Sequence, residues 1–151
     1  MAVYTVPFDN LTVTNDSDQD IIELTAPSDA AVKIHRIVLN SATTTDERVR
    51  LRLVRRSTNG SGGAAATEVG IDGVSEATGG GVAAVTLATT PGTIGNILQA
   101  WYWSQLSPFD ELPVPEDRVV IPPSGILGLN LETAVGSSRN WSDFVIYEII
   151  G

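Results

Sequence analysis

Apolar residues in this chain almost never recur at the 3.6-residue period of a helix. They come in short alternating or continuous runs, closed by Gly, Pro, Asn, Asp and Ser. That pattern restricts the chain to strands joined by turns. The runs are LTVT (11–14), IIELTAP (21–27), AVKIHRIVL (31–39), RVRLRLVRR (48–56), VAAVTLAT (82–89), ILQAWYWS (97–104), DRVVIP (117–122), ILGLNLET (126–133) and WSDFVIYEII (141–150). About eight strands at this spacing, in a chain long enough for one core, predict an all-β fold: an antiparallel β-sandwich of the jelly-roll type. IPPSGILGL supplies a corner, where Pro122 and Pro123 end one strand and Ser124-Gly125 turn into the next. An immunoglobulin-like sandwich is the second choice, because the Cys…Trp…Cys spacing is absent.

Two segments stand apart from that pattern. Residues 1–10, MAVYTVPFDN, read as an extended N-terminal arm, with residues 11–151 as the single sandwich domain. The same ten residues lack the basic and apolar regions of a signal peptide. Residues 57–96 hold ten of the fourteen glycines, no aromatic residue, no Lys or Arg, and three acids. This block is a long Gly/Ala/Thr-rich excursion within the domain, carrying edge strands near 64–71 and 82–89. It is either a loose surface loop or a segment that orders against a neighbour.

The chain is acidic, with a formal net charge of −9, yet RVRLRLVRR concentrates five of its nine basic residues. The rest of the chain then has four basic residues against eighteen acidic ones. Such a polyanion repels nucleic acid and anionic membranes. With no second basic patch, direct nucleic-acid binding is not expected, and no run is long enough for a membrane helix. On a strand, Arg48, Arg50 and Arg52 face outward while Val49, Leu51 and Leu53 face the core, with Arg55-Arg56 at the exit. A row of like charges needs opposite charges across the sheet. Glu132, Glu148 and Glu23 are the candidates. The row is either a salt-bridged sheet face or a subunit contact, and the expectation is that Arg50 and Arg52 meet carboxylates of this protein or of an adjacent copy.

Catalytic chemistry finds little support. There is no cysteine and one histidine, His35, in a strand whose period slips near Arg36. No serine stands in a G-x-S-x-G elbow, and NGSGGAAAT lacks the lysine of a phosphate loop. The expectation is a protein that is not an enzyme and carries no cofactor. Asp16, Asp18 and Asp20 in NDSDQD form a weak calcium candidate, because the glycine and distal glutamate of a calcium loop are missing. A solvated hairpin turn explains the same residues. In AWYWSQL, Trp101 and Trp103 share one strand face and Tyr102 takes the other. The two tryptophans suit a core or a subunit interface better than a sugar platform, and Trp141 reads as a rim or interface residue.

The order of features resembles a known family. The extended MAVYTVPF is followed by KIHRIVLNSATTTDERVRLRLVRRST, the glycine-rich excursion, a Trp-containing strand, VVIPPSGILGLNLETA and DFVIYEII. This is similar to the small jelly-roll head decoration, or cement, proteins of tailed bacteriophages. The resemblance implies a structural virion protein, made in the host cytoplasm. It would sit as a homotrimer on the capsid surface and bridge subunits of the major capsid protein. Tyr4, Phe8, Arg48, Arg50, Arg52, Trp101, Trp103 and Trp141 are then the interface candidates. The alternative is a carbohydrate- or receptor-binding module of a tail fibre or spike, with the three tryptophans as its surface.

Overall fold

Each apolar run read from the sequence lies in a strand, wholly or in part. The computed structural model describes residues 2–14, 18–71, 80–132 and 135–151. Twelve strands are found among the described residues: β1 (Val3–Val13), β2 (Gln19–Thr25), β3 (Ala31–Ser41), β4 (Arg48–Arg56), β5 (Ala64–Ala66), β6 (Val69–Gly70), β7 (Ala83–Ala88), β8 (Ile94–Ser104), β9 (Phe109–Glu111), β10 (Val120–Ile121), β11 (Ile126–Leu131) and β12 (Arg139–Ile150). One sheet runs β10–β3–β12–β1–β6, with β9 also on β3, and the other runs β5–β7–β2–β11–β4–β8. Every pairing is antiparallel. The two sheets pack into a β-sandwich, as the alternation predicts.

The inward residues of both sheets make one core, in which Val6, Leu39, Leu51, Leu129 and Ile121 are fully buried. Each such side chain contributes about 1.5–3 kcal/mol relative to exposure. The slip of period near Arg36 is a bulge. Ile146 pairs with Arg36 but Tyr147 pairs with Ile34, so His35 is the extra residue.

The N-terminal arm is a correction. Residues 3–13 pair along β12 as β1, and Tyr4 and Val6 are core residues, Tyr4 stacked 6.1 Å from Tyr147. The alternation Tyr4, Val6, Phe8 is that of a half-buried strand. DRVVIP is also shorter than expected. Only Val120–Ile121 pair as a strand, because Pro113, Pro115, Pro122 and Pro123 remove ladder donors on either side. The same prolines accompany a 3-10 turn at Pro115–Asp117.

In its described parts the glycine-rich excursion orders against its own sandwich. β7 extends the second sheet beyond β2, β5 extends it beyond β7, and β6 adds to β1 of the first sheet. Glu68 ties the two sheets' flank together. Its carboxylate accepts the Tyr147 hydroxyl and the Gly81 N–H, the latter at 2.9 Å. Burial, reinforced by that carboxylate, holds the Tyr147 phenol protonated well above its usual range.

An ionisable group interrupts the apolar inner side of β12. Asp143 shares the inward side of β12 with Trp141, Val145 and Tyr147. Its Oδ1 accepts the Asn40 N–H at 3.2 Å, and Oδ2 is buried without a partner. Burial raises its pKa from 3.8 to about 8, against the lowering effect of the Asn40 hydrogen bond. The folded state therefore holds a proton that the unfolded state releases, so stability falls as pH rises from about 4 to about 8, by up to ~1.4 kcal/mol per pH unit. Asp143→Asn keeps the acceptor and removes the titration. Urea midpoints should be higher than wild type at pH 8 and nearly equal to it at pH 4, with a residual slope from Glu23 and Glu111, which burial also pushes up. A second expectation concerns β1. Deleting residues 1–10 removes Tyr4 and Val6 from the core and should abolish the cooperative thermal transition rather than leave a folded domain.

Candidate functional site

The arginine strand carries the most concentrated chemistry on the molecule. On β4, Val49, Leu51 and Leu53 face the core, and Arg48, Arg50 and Arg52 face outward, as expected from a period of two. Antiparallel pairing sets β11 on one side of β4 and β8 on the other. Asn130 lies opposite Arg52, and Tyr102 lies opposite Arg50.

Arg50 meets Glu132 at 2.9 Å, and its guanidinium lies 5.9 Å from the centre of the Tyr102 ring. Arg52 donates from Nε and NH2 to Asn130 Oδ1 at 3.1 and 2.8 Å, and lies 3.6 Å from Asp18 and 3.7 Å from Glu132. Asn130 Nδ2 in turn donates to Asp18 Oδ1 at 3.0 Å and Asp20 Oδ1 at 3.1 Å. The expectation for Arg50 and Arg52 thus resolves to carboxylates of the same chain. Glu132 is the partner among the three candidates. Glu148 is in the other sheet, beside Lys33 at 3.5 Å and His35 at 3.3 Å.

Arg56 completes the network and is its buried end. Nε and NH2 clasp Asp20 at 3.1 and 2.6 Å, while NH1 donates to the Gly92 carbonyl at 2.7 Å. Both side chains are essentially inaccessible, at 1% and 0% exposure. They lie on an outward face that is dry because the start and end of the excursion fold over it. Gly60 N–H bonds Glu23 at 2.9 Å, and Ser61 bridges to Thr90. Burial raises the Glu23 pKa, partly offset by that Gly60 bond. The close packing needs Gly128, where a Cβ would stand 2.7 Å from an Asp20 oxygen.

This pairing answers the calcium candidate. Asp18 faces Arg52 and Asn130, and both oxygens of Asp20 are held by Arg56. Asp16 lies outside the described residues. No group of three potential ligands converges among the described residues.

The tryptophans are a correction. Trp141 is 0% exposed and Trp103 is buried, their rings edge-on at 5.0 Å. Trp141 Nε1 donates to Gln105 Oε1 at 3.2 Å, and Trp103 Nε1 to the Ser107 carbonyl at 2.7 Å. Trp101 is half-buried on Phe109, with ring centres 5.2 Å apart. These side chains close one end of the core, and Trp141 is not a rim residue. Tyr4 is likewise internal, and Phe8 is half-buried against the core.

The exposed aromatic is the residue between the two tryptophans. Tyr102 is 73% exposed, and Ile97 on the same strand is 51% exposed. Leu106, Leu112 and Val114 are also exposed, and Gln99 of β8 lines a small cavity with Glu111 and Pro113. The sequence signal for Tyr102 is its opposite parity to Trp101 and Trp103. A separate open hollow of about 280 Å³ lies at the end of the sandwich, lined by Thr43, Thr44, Thr45, Ser138, Arg139 and Asn140. No helix among the described residues is long and apolar enough to cross a membrane. No protein-family model, no curated protein and no solved structure matches the chain.

Removing one member of the buried pair should be far costlier than removing an exposed arginine. Arg56→Ala leaves Asp20 uncompensated and should lower unfolding free energy by about 3–5 kcal/mol, whereas Arg48→Ala should change it by under about 1 kcal/mol. The double variant Asp20→Leu, Arg56→Met should recover most of that loss. Urea denaturation of the singles and the double measures the coupling.

Proposed function

We propose that this chain is a structural virion protein. On this reading it binds the outside of a tailed-phage head and bridges neighbouring subunits of the major capsid protein. The observation that carries the reading is the strand order. Setting aside the inserted β5, β6 and β7, one sheet reads β1–β12–β3 followed by β9 and β10, and the other reads β2–β11–β4–β8. That alternation of early and late strands supports a jelly roll, the fold of the decoration proteins that the sequence resembles.

The distribution of charge supports the same reading. Arg50, Arg52 and Arg56 are engaged with the chain's own carboxylates. What the surface offers outward is a rigid sheet with exposed apolar residues, Tyr102 and Ile97 among them. Such a surface suits protein contact better than recognition of a polyanion. The carbohydrate-binding alternative loses its tryptophan platform, since Trp103 and Trp141 are inside.

Co-sedimentation with expanded, undecorated heads of tailed phages tests the proposal. The chain should pellet with heads at a fixed stoichiometry and raise their resistance to heat or chelator, and Tyr102→Lys should weaken that binding at least tenfold. A glycan array run in parallel should give no selective signal. Selective glycan binding without head binding would overturn the reading.

A further inference from the structure

The sandwich has four lateral edges, and they are not treated alike. On the first sheet, the β1 edge is covered by β6 at Tyr4 and Thr5. Beyond that it carries Pro7, Asp9 and an irregularity between Phe8 and Leu11, with Asn10 at φ 52. The opposite edge of that sheet is made of β9 and β10, three and two residues long. The outer edge of the second sheet beyond β7 is β5, three residues long. Short strands, prolines, bulges and charges are the devices that keep an edge from recruiting another strand.

The fourth edge, β8, has eleven residues and, among the described residues, pairs with β4 on one side alone. Irregularities at Leu98 and Gly95 interrupt its N-terminal half, leaving Gln99–Ser104 as a regular edge with no proline and no charge. It lies in a stretch, residues 77–109, without a single Asp, Glu, Lys, Arg or His. In a chain of net charge −9, this is the edge where two copies can approach with the least repulsion between acids.

We propose that β8 pairs antiparallel with β8 of a second copy about a two-fold axis, joining the two second sheets into one continuous sheet. A second copy is favoured over an unrelated strand for two reasons. Antiparallel self-pairing is closed and isologous, so each half satisfies the other's free N–H and C=O groups. The side chains are also self-complementary: an axis at Trp101 sets each exposed Tyr102 against the partner's small Ala100, on the face where residues of like parity meet. The proposal does not rest on the capsid reading, and it differs from the threefold assembly that the family resemblance implies.

Light scattering on the purified chain at micromolar concentration should give twice the 16.0 kDa chain mass. Ala100→Lys with Tyr102→Lys places like charges opposite each other and should give the single-chain mass at the same concentration. The single variant Tyr102→Glu provides a milder second test, with at least a tenfold weaker dimer. Circular dichroism should show all variants folded, since Tyr102 and Ala100 are exposed. Val69→Lys, on a different edge, should remain a dimer. A wild-type monomer, a trimer, or a dimer indifferent to both edge variants would overturn the proposal.

Discussion

The Asp20–Arg56 pair is the interaction on which the outer half of this molecule depends. It joins β2 to β4 across the intervening β11, and through the Gly92 carbonyl it also holds the end of the excursion. A buried ion pair is stable only when its geometry and remaining hydrogen bonds are complete. Here the guanidinium uses Nε and NH2 on one carboxylate and NH1 on a backbone carbonyl. Asn130 supplies a further donor to Asp20. The pair requires a narrow backbone beside it, which Gly128 provides, and a cover, which the excursion provides. Pair, glycine and cover therefore form one unit rather than three independent features.

That unit explains why an acidic protein concentrates arginine on one strand. Asp18, Asp20 and Glu132 all approach the outward face of β4, and Arg50, Arg52 and Arg56 lie among them. From Arg50 toward Arg56 the network passes from partly exposed to dry. The exposed end contributes little, since solvent screens it, while the dry end fixes the register of three strands. Arg48 stands outside the network, exposed and without an ion pair among the described residues.

Much of this was legible in the sequence, and the parts that were not share a cause. Alternation in RVRLRLVRR sufficed to put Arg50 and Arg52 outward, and Glu132 followed as a cross-strand partner because it continues a neighbouring strand. The slip at His35 showed as a break in period. Arg56 did not announce its burial, because its outward position is dried by residues 36 positions later, and no local pattern carries that information. β1 was read as an arm because a terminal segment containing proline looks free until β12 is placed beside it. Trp103 fits a core and an interface equally well by spacing, and Trp141, beside a polar turn, reads as a rim or interface residue; their edge-on contact places both in the core.

The sandwich is thus closed on one flank and open on the other. The excursion seals the β1 and β2 side by adding β6 to one sheet and β7 with β5 to the other, with Glu68 binding Tyr147 across the seam. Its glycines and alanines suit that task, because narrow residues let a strap lie close against finished sheets. On the far flank the second sheet ends at β8, where regular backbone and uncharged side chains remain unpartnered. Six of the nine basic residues, Lys33, Arg36, Arg50, Arg52, Arg56 and Arg139, are already in ion pairs within the chain, which leaves few cations with which to recognise a neighbour. On the proposed β8 pairing, main-chain hydrogen bonds and the exposed Tyr102 carry recognition, and such contacts are less sensitive to salt than charge pairing is. The proposed pairing thereby places specificity in the shape and register of an edge rather than in its electrostatic field.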